Sequence, residues 1–352
     1  MSKVKSVLTN VLRAGAIAGL CLCYSNIAGA EATAEETANK AVVTRLLEVK
    51  GTPDYRVVGR EVFAADHQVL RNEFENLIYN ADDPVLKPAS ERDSVAISER
   101  TNTIERIFAD GDLVAAMISV EGKHTGNLYG IPATGKTFDI TTTAIFRLED
   151  GKITESWYMA EEGGLLMDLG VGLPKRVDGR ANIPPAYDDV RTFDEALAEH
   201  MANPQDTLEW RQKRLLLSYK SLPENRPVTW EGRRPYQNLQ RGGIDDIIAR
   251  ADVLGVEGSH GAAMSGRRDM VAYALSDGEQ GLIAFRLTAV NSGPLFGIPP
   301  SGHDLHDWEI GFAEFDGETW TNAWWMADEL GYTLIVGGQD GNQRSLNFWG
   351  QQ

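Results

Sequence analysis

The sequence predicts two tandem α+β domains, and three observations predict them. The first is a duplication. HTGNLYGIPATG at 124–135 recurs as NSGPLFGIPPSG at 291–302. The same offset of 167 residues carries ADGD (109–112) onto SDGE (276–279), and WYMAEE (157–162) onto WWMADE (324–329). EDGK (149–152) answers FDGE (315–318). Landmarks in one order at near-constant spacing mark an internal repeat. The second observation is a set of Asp-Gly pairs between apolar runs, at 110–111, 150–151, 277–278 and 316–317. Such pairs signal tight hairpins. The third is order: in each copy helical patterns come first and strand patterns follow, which defines α+β.

The elements follow along the chain. Lys3, Lys5 and Arg13 precede an apolar stretch from Ala14 to Cys23, and Ala28-Gly29-Ala30 offers a small-residue cleavage site. Residues 1–30 are therefore expected to be a signal peptide and the mature protein periplasmic or secreted. There is no twin arginine, and Leu20 and Leu22 stand where lipid attachment to cysteine needs a small residue. The first domain is assigned to 31–172, a Pro/Gly-rich linker to 173–186, the second, divergent domain to 187–338, and a polar tail to 339–352. Thr33-x-x-Glu36 reads as a capping box, with Val42, Val43, Leu46 and Leu47 as the apolar stripe of the helix it starts. A second helix is expected to carry Val62, Phe63, Leu70, Phe74 and Leu77. TIERIFA, LVAAMISVEG, TFDITTTAIFRL and ITESWYMA then read as four strands of a meander. In the second copy TFDEALAEHM and a run with Trp210, Leu215 and Leu216 read as helices. DMVAYAL, GLIAFRLTAV, DLHDWEIGFAEF and TWTNAWWMA repeat the meander.

Composition excludes several functions. Both cysteines, Cys21 and Cys23, lie in the expected signal, so a mature chain has no disulfide, zinc thiolate or cysteine nucleophile. A formal charge of −17 repels phosphate backbones and anionic membrane surfaces. Neither nucleic acid nor, after signal cleavage, a membrane is an expected partner. GIPATGKT (130–137) fits the P-loop pattern, but a strand follows it where a P-loop needs a helix, and the second copy has His303 in place of Lys136. His303 and His306 stand three apart on a strand and face opposite sides, so they do not share a metal ion. The sequence contains no G-x-S-x-G elbow and no H-E-x-x-H motif.

The turn at ADGD, then HTG, GIPATGK, FRLEDGKITESW and a Leu-Gly ending resemble the SnoaL-like polyketide cyclases of the nuclear transport factor 2-like superfamily. The likeness runs from about Thr103 to Gly170, and the second copy keeps the GIP loop, the Asp-Gly turns and the W-x-M-x-D segment. The resemblance implies two tandem cone-shaped α+β barrels, each a curved antiparallel sheet wrapped around N-terminal helices. It also implies an apolar pocket at each open end and chemistry without a cofactor. In that frame the G-I-P loop shapes a pocket mouth, with Gly and Pro enforcing the reversal.

Strand alternation puts Trp157, Met159 and Glu161 on one face, and Trp324, Met326 and Asp328 on the matching one. In the resembling family a carboxylate four residues after that Trp serves as general acid or base. Glu161 and Asp328 are the candidates, beside an alternative in which both end a strand in solvent. A carboxyl among Trp and Met has its pKa raised by burial, which suits proton transfer near neutrality. His124 matches the family's HTG and is the candidate for polarising a substrate carbonyl. Its counterpart Asn291 can bond an oxygen but cannot take up a proton. Tyr129 and Phe296 are candidate pocket covers, and Trp157, Tyr158 and Trp324 candidate substrate platforms. The expected ligand is an apolar, carbonyl-bearing or aromatic small molecule, and the expected reaction a cyclisation, retro-aldol cleavage or isomerisation. A non-catalytic ligand-binding or protein-interaction module of the same fold is the alternative. Face-to-face packing of the copies would make a pseudo-dimer within one chain.

Overall fold

A computed structural model describes residues 32–80, 96–173, 183, 191–225, 238–241, 263–295 and 298–338. The expected signal peptide, most of the linker, the tail and Phe296 lie outside the described residues.

In the first copy, helix α1 (Ala34–Glu48) starts at the expected capping box. Thr33 Oγ1 accepts from the Glu36 amide, and Glu36 accepts from the Thr33 amide. Val43, Leu46 and Leu47 form its buried stripe. Helix α2 (Tyr55–Val62) ends earlier than expected. The chain then runs as strand β1 (Phe63–Arg71) before the short helix α3 (Glu75–Asn80). The expected second helix is thus corrected to a strand over Phe63 and Leu70. β1 pairs in parallel with the last strand of the sheet, and that tertiary pairing overrides a weak helical pattern. Strands β2 (Ile97–Asp110), β3 (Leu113–His124), β4 (Thr137–Glu149) and β5 (Lys152–Ala160) form the expected meander, and helix α4 (Glu162–Leu169) follows. The strand order is β1-β5-β4-β3-β2.

The second copy repeats this plan. It comprises β6 (Arg191–Thr192), α5 (Phe193–Ala202), α6 (Leu208–Ser218), β7 (Asn238–Arg241), β8 (Met264–Ser276), β9 (Gln280–Asn291), β10 (Asp304–Asp316), β11 (Thr319–Ala327) and α7 (Glu329–Gly338). Its order is β6-β8-β9-β10-β11-β7, with β7 parallel to β11 as β1 is to β5. The curvature is duplicated too. β2 breaks register with β3 between Ser98 and Thr101 and again between Ile104 and Arg106. β8 breaks register with β9 at the matching residues, 265–268 and 271–273. Bulges bend a sheet and increase its twist, so each copy curls around its helices. At the first bulge Glu99 has φ 55° and Gly266 has φ 62°.

The G-I-P loop is a reversal between β3 and β4. Leu128 bridges Ile131, and Gly135 N–H donates to the His124 carbonyl. Leu295 bridges Ile298, and Gly302 donates to Asn291 in the same way. Gly135 and Gly302 have φ of 70° and 73°, a region that favours glycine. A strand, not a helix, follows each loop.

The outer faces of the two sheets pack on each other. Phe108, Ala115, Met117, Ile145, Trp157 and Met159 meet Leu275, Leu282, Ala284, Trp308, Phe312 and Trp324 in one buried layer. Trp157 and Trp308 lie 5.0 Å apart between centroids, and Phe108 meets Phe312 edge-on at 6.4 Å. The inner faces pack on the helices: Phe146 and Tyr158 in the first copy, Phe285 and Trp320 in the second. Both faces of the central strands, such as β3, β4 and β9, are therefore largely buried.

Candidate functional site: the carboxylate corner between the copies

The two W-x-M-A segments end at matching corners where a strand turns into a helix, and both corners are buried. In the first copy Glu161 occupies the N-cap position of α4, and its Oε2 accepts from the Thr141 amide at 2.6 Å. Glu162 is 1% exposed. Its Oε1 accepts from Leu77 N–H (2.9 Å), and its Oε2 from Asn76 Nδ2 (2.6 Å). In the second copy Asp328 turns away from its own sheet. Its Oδ2 accepts from Arg71 Nη2 (2.5 Å) and its Oδ1 from Asn76 Nδ2 (2.7 Å), both residues of the first copy. Gly331 N–H adds a third donor at 3.2 Å. Arg71, itself 1% exposed, also donates to the Tyr158 carbonyl at 2.7 Å. Asn76 thus joins a carboxylate of each copy through one amide group.

Local bonding explains why the corners differ. The residue matching Thr141 is Trp308, and its amide already donates to Asp307 Oδ1 at 2.8 Å. In the first copy Ile140 stands where Asp307 stands in the second. Asp307 takes the amide that Asp328 would otherwise use, so Asp328 reaches across to Arg71.

Buried carboxyls at this junction resist ionisation. Burial first, and then the Asp328 charge, push Glu162 up to about 8, while Arg71, the Leu77 amide and Asn76 pull the other way. Burial, helped by Asp328 and Glu329, pushes Asp307 well above the usual carboxylate range. Glu329 is likewise raised by burial, with Glu161 and Asp328 adding to it. The crevice beside Arg71, Asp307, Trp308 and Asp328 is only about 30 Å³, the space of a bound water.

A second polar cluster sits inside the first cone. Glu73 pairs with Lys50 (3.2 Å) and Arg100 (3.4 Å) and accepts from the Thr142 hydroxyl at 3.1 Å. Burial pushes Glu73 up, but the two cations outweigh it and hold the carboxyl below the ordinary range. Lys50 Nζ lies 3.6 Å over the Tyr158 ring. The second cone hangs a matching cluster on Arg267, which pairs with Asp269 and Glu309, each at 2.8 Å. A wider groove of about 1010 Å³ lies between the start of α1 and helices α5 and α6, with Trp210 in its wall.

The remaining sequence candidates fall as follows. His124 is fully buried, and its Nδ1 accepts from the Thr134 amide at 3.3 Å and lies 3.1 Å from the Thr134 hydroxyl. Burial lowers its pKa, with the Gly126 carbonyl acting against that. Asn291 holds its own loop in the same manner, accepting from the Ser301 amide at 2.7 Å and hydroxyl at 3.0 Å. Both residues therefore pin the G-I-P loop. Tyr129 is buried against Phe74, 6.1 Å between centroids, rather than hanging over a mouth. Tyr158 faces the cone interior, edge-on to Phe146. Trp157 and Trp324 do share a face with Met159 and Met326, but that face is the layer between the sheets, not the hollow. Alternation shows which residues share a face; it cannot show which of two buried faces lines a pocket. Among the described residues no set of three or more His, Cys, Asp or Glu side chains is arranged to hold a metal ion, and no helix is long and apolar enough to cross a membrane.

Glu162, Glu329, Arg71 and the Arg100/Arg267 pair were not singled out from sequence. A signal existed for three of these sites. At the repeat offset Glu162 and Glu329 are the same residue type, whereas Glu161 and Asp328 differ; Arg100 and Arg267 also coincide.

Fold and corner together define a curved α+β cone whose last strand delivers a carboxylate into a helix cap. Residues 84–169, within the first copy, match the family model described as SnoaL-like polyketide cyclase. Aklanonic acid methyl ester cyclase DauD of Streptomyces sp. (strain C5) is 34% identical over 91 residues, which cover 26% of this chain and 56% of that protein. The cyclase DnrD of Streptomyces peucetius is 34% identical over 80 residues, covering 22% and 55%. The match thus spans about half the length of these relatives. Among solved structures, a SnoaL-like chain from Jannaschia sp. CCS1 is 18% identical with a TM-score of 0.33, covering 40% of this chain and 97% of that one. IdmH from Streptomyces antibioticus is 25% identical with a TM-score of 0.32, covering 38% and 99%.

Proposed function

We propose that this chain is a cofactor-independent, cyclase-type enzyme acting on an apolar, carbonyl-bearing small molecule. The first copy is the working half and the second its folded partner, a pseudo-dimer in one chain. The observation that carries the reading is Glu161. It lies within residues 84–169, which match the SnoaL-like polyketide cyclase family model, four residues after Trp157. There the resembling family places its acid–base carboxylate. The Thr141 amide orients this carboxylate. As base it takes a proton from the carbon next to a carbonyl. The enolate then attacks a second carbonyl carbon of the same molecule, forming the ring bond, and the protonated Glu161 returns its proton to the resulting alkoxide. His124 is assigned no proton transfer in this reading: its ring is fully buried and its Nδ1 holds the loop. Removing one acid–base group of this kind costs about 10²–10⁴-fold in rate.

A non-catalytic role is favoured for the second copy, since Asp328 is spent on Arg71 and Asn76. The Lys3-to-Ala30 pattern supports export, which N-terminal sequencing of the mature protein would check. For the chemistry, the full mature chain is incubated with aklanonic acid methyl ester as probe and the product followed by chromatography. Turnover by the native chain and its fall of about 10²–10⁴-fold in Glu161→Gln, with binding kept, is the expected result. Full turnover in Glu161→Gln, or neither binding nor turnover by the native chain, defeats the reading.

A further inference from the structure

We propose that Asp328, contributed by the second copy, is a positioning residue for the first copy's site, acting through Arg71 and Asn76 on the β5–α4 corner that carries Glu161 and Glu162. The inference rests on the reading of that corner as the working site, and it explains why a divergent second copy is retained in the chain.

Two bonded routes run from Asp328 into the corner. On one side Oδ2 holds Arg71, and Arg71 holds the carbonyl of Tyr158, three residues before Glu161. On the other side Oδ1 holds the Asn76 amide, whose second hydrogen goes to Glu162 Oε2. Glu162 also caps α3 through the Leu77 amide, so the start of α4 is tied to α3. Without Asp328, buried Arg71 loses that carboxylate and Asn76 Nδ2 loses one of the two carboxylates it joins. Both changes fall on groups that fix the strand end and the first turn of α4.

The charges around the corner make the coupling measurable. Glu162 faces Asp328 from the β11–α7 turn, Arg71 from β1 and Asn76 from α3. Glu161 on its own turn also acts on Glu329 of α7, and Asp328 acts on Asp307 of β10 as well. Glu75 lies on α3 beside them, its carboxylate accepting from the Asn72 amide. Replacing Asp328 by Asn removes one negative charge while keeping the shape. Arg71 then acts on Glu162 without opposition, and Glu162 ionises at lower pH.

The test is a carboxyl titration of the full chain by infrared difference spectroscopy or side-chain 13C NMR, with Glu162→Gln identifying the signal. In the native chain the Glu162 signal should titrate near 8. In Asp328→Asn its midpoint should fall by about one pH unit or more. The alkaline behaviour of kcat/KM on aklanonic acid methyl ester should move with it, while KM changes little. Asn76→Ala is the second variant. It cuts the route to Asp328 and removes a donor from Glu162, so the midpoint should rise. A Glu162 signal that titrates below pH 6 in the native chain, or is unmoved in a folded variant, overturns the proposal. Absence of turnover with the titration shift intact defeats the assigned reaction and leaves the coupling standing.

Discussion

The two copies hold the same carboxylate position in opposite ways. Glu161 folds back onto its own sheet and is bonded by the Thr141 amide. Asp328 leaves its sheet and binds Arg71 and Asn76 of the other copy. One neighbouring difference separates them: Asp307 in the second copy captures the amide that Ile140 leaves available in the first. A repeated motif therefore delivers a side chain to a place, and the residues facing that place decide its role. The loop latches teach the converse. His124 with Thr134 and Asn291 with Ser301 differ in chemistry and make the same attachment.

The contrast can be broken most forcefully at Asp328. Asp328→Ala takes the Asp328 carboxylate from the buried Arg71 guanidinium and should lower unfolding stability by about 3–5 kcal/mol in urea at pH 7. Glu161→Ala removes the acceptor of one backbone amide and should cost about 1–3 kcal/mol. Equal losses would show that the two corners do not differ as described.

Alkaline pH should act next, and its sign is set by the junction. Glu162 is held near 8 in the fold against 4.5 for the free side chain, so the folded state binds more protons between those values. Its contribution is intact below about 4.5 and is lost as pH rises through 8. Glu73 behaves oppositely, because Lys50 and Arg100 hold it below 4.5; its contribution is present above that value and lost on acidification. Urea midpoints measured from pH 5 to 9 should fall towards the alkaline end, and Glu162→Gln should flatten that fall. A midpoint that rises with pH would contradict the junction's charge balance.

Asp307→Ile, which restores the first copy's residue, sharpens the comparison further. It removes a buried carboxyl whose Oδ2 has no hydrogen-bond partner among the described residues. It also takes the acceptor from the buried Trp308 amide, so stability at pH 7 should fall by about 1–3 kcal/mol, read from urea unfolding. The smallest effect belongs to the latch. His124→Asn copies the second copy's solution and should stay within about 0.5 kcal/mol, whereas His124→Ala should cost about 1–3 kcal/mol. Similar losses for both would mean that the imidazole does more than hold the loop.

Much of this architecture was legible in the chain. The Asp-Gly turns, the capping box at Thr33 and the eight meander strands stand where the residue patterns put them. Strand β1 did not announce itself, because Phe63 to Arg71 has little alternation and is held by parallel pairing to β5. The site was only half legible. Glu161 and Asp328 were singled out by their spacing from Trp157 and Trp324. Arg71 and Asn76 lie in a stretch with no landmark in the repeat, so nothing marked them as partners of Asp328.

By itself the sequence determined the duplication, the strand content of each copy and the loops that close them. Those features depend on local backbone preference and on periodicity, which neighbouring residues already contain. The tertiary structure decided which face of each sheet became the interior and which carboxylate answered to which copy. Both faces of strand β5 are buried from Ser156 to Ala160, and a buried charge is governed by whatever donors lie within a few ångströms of it. Those donors come from residues as far apart as Arg71 and Asp328, and only folding brings them together.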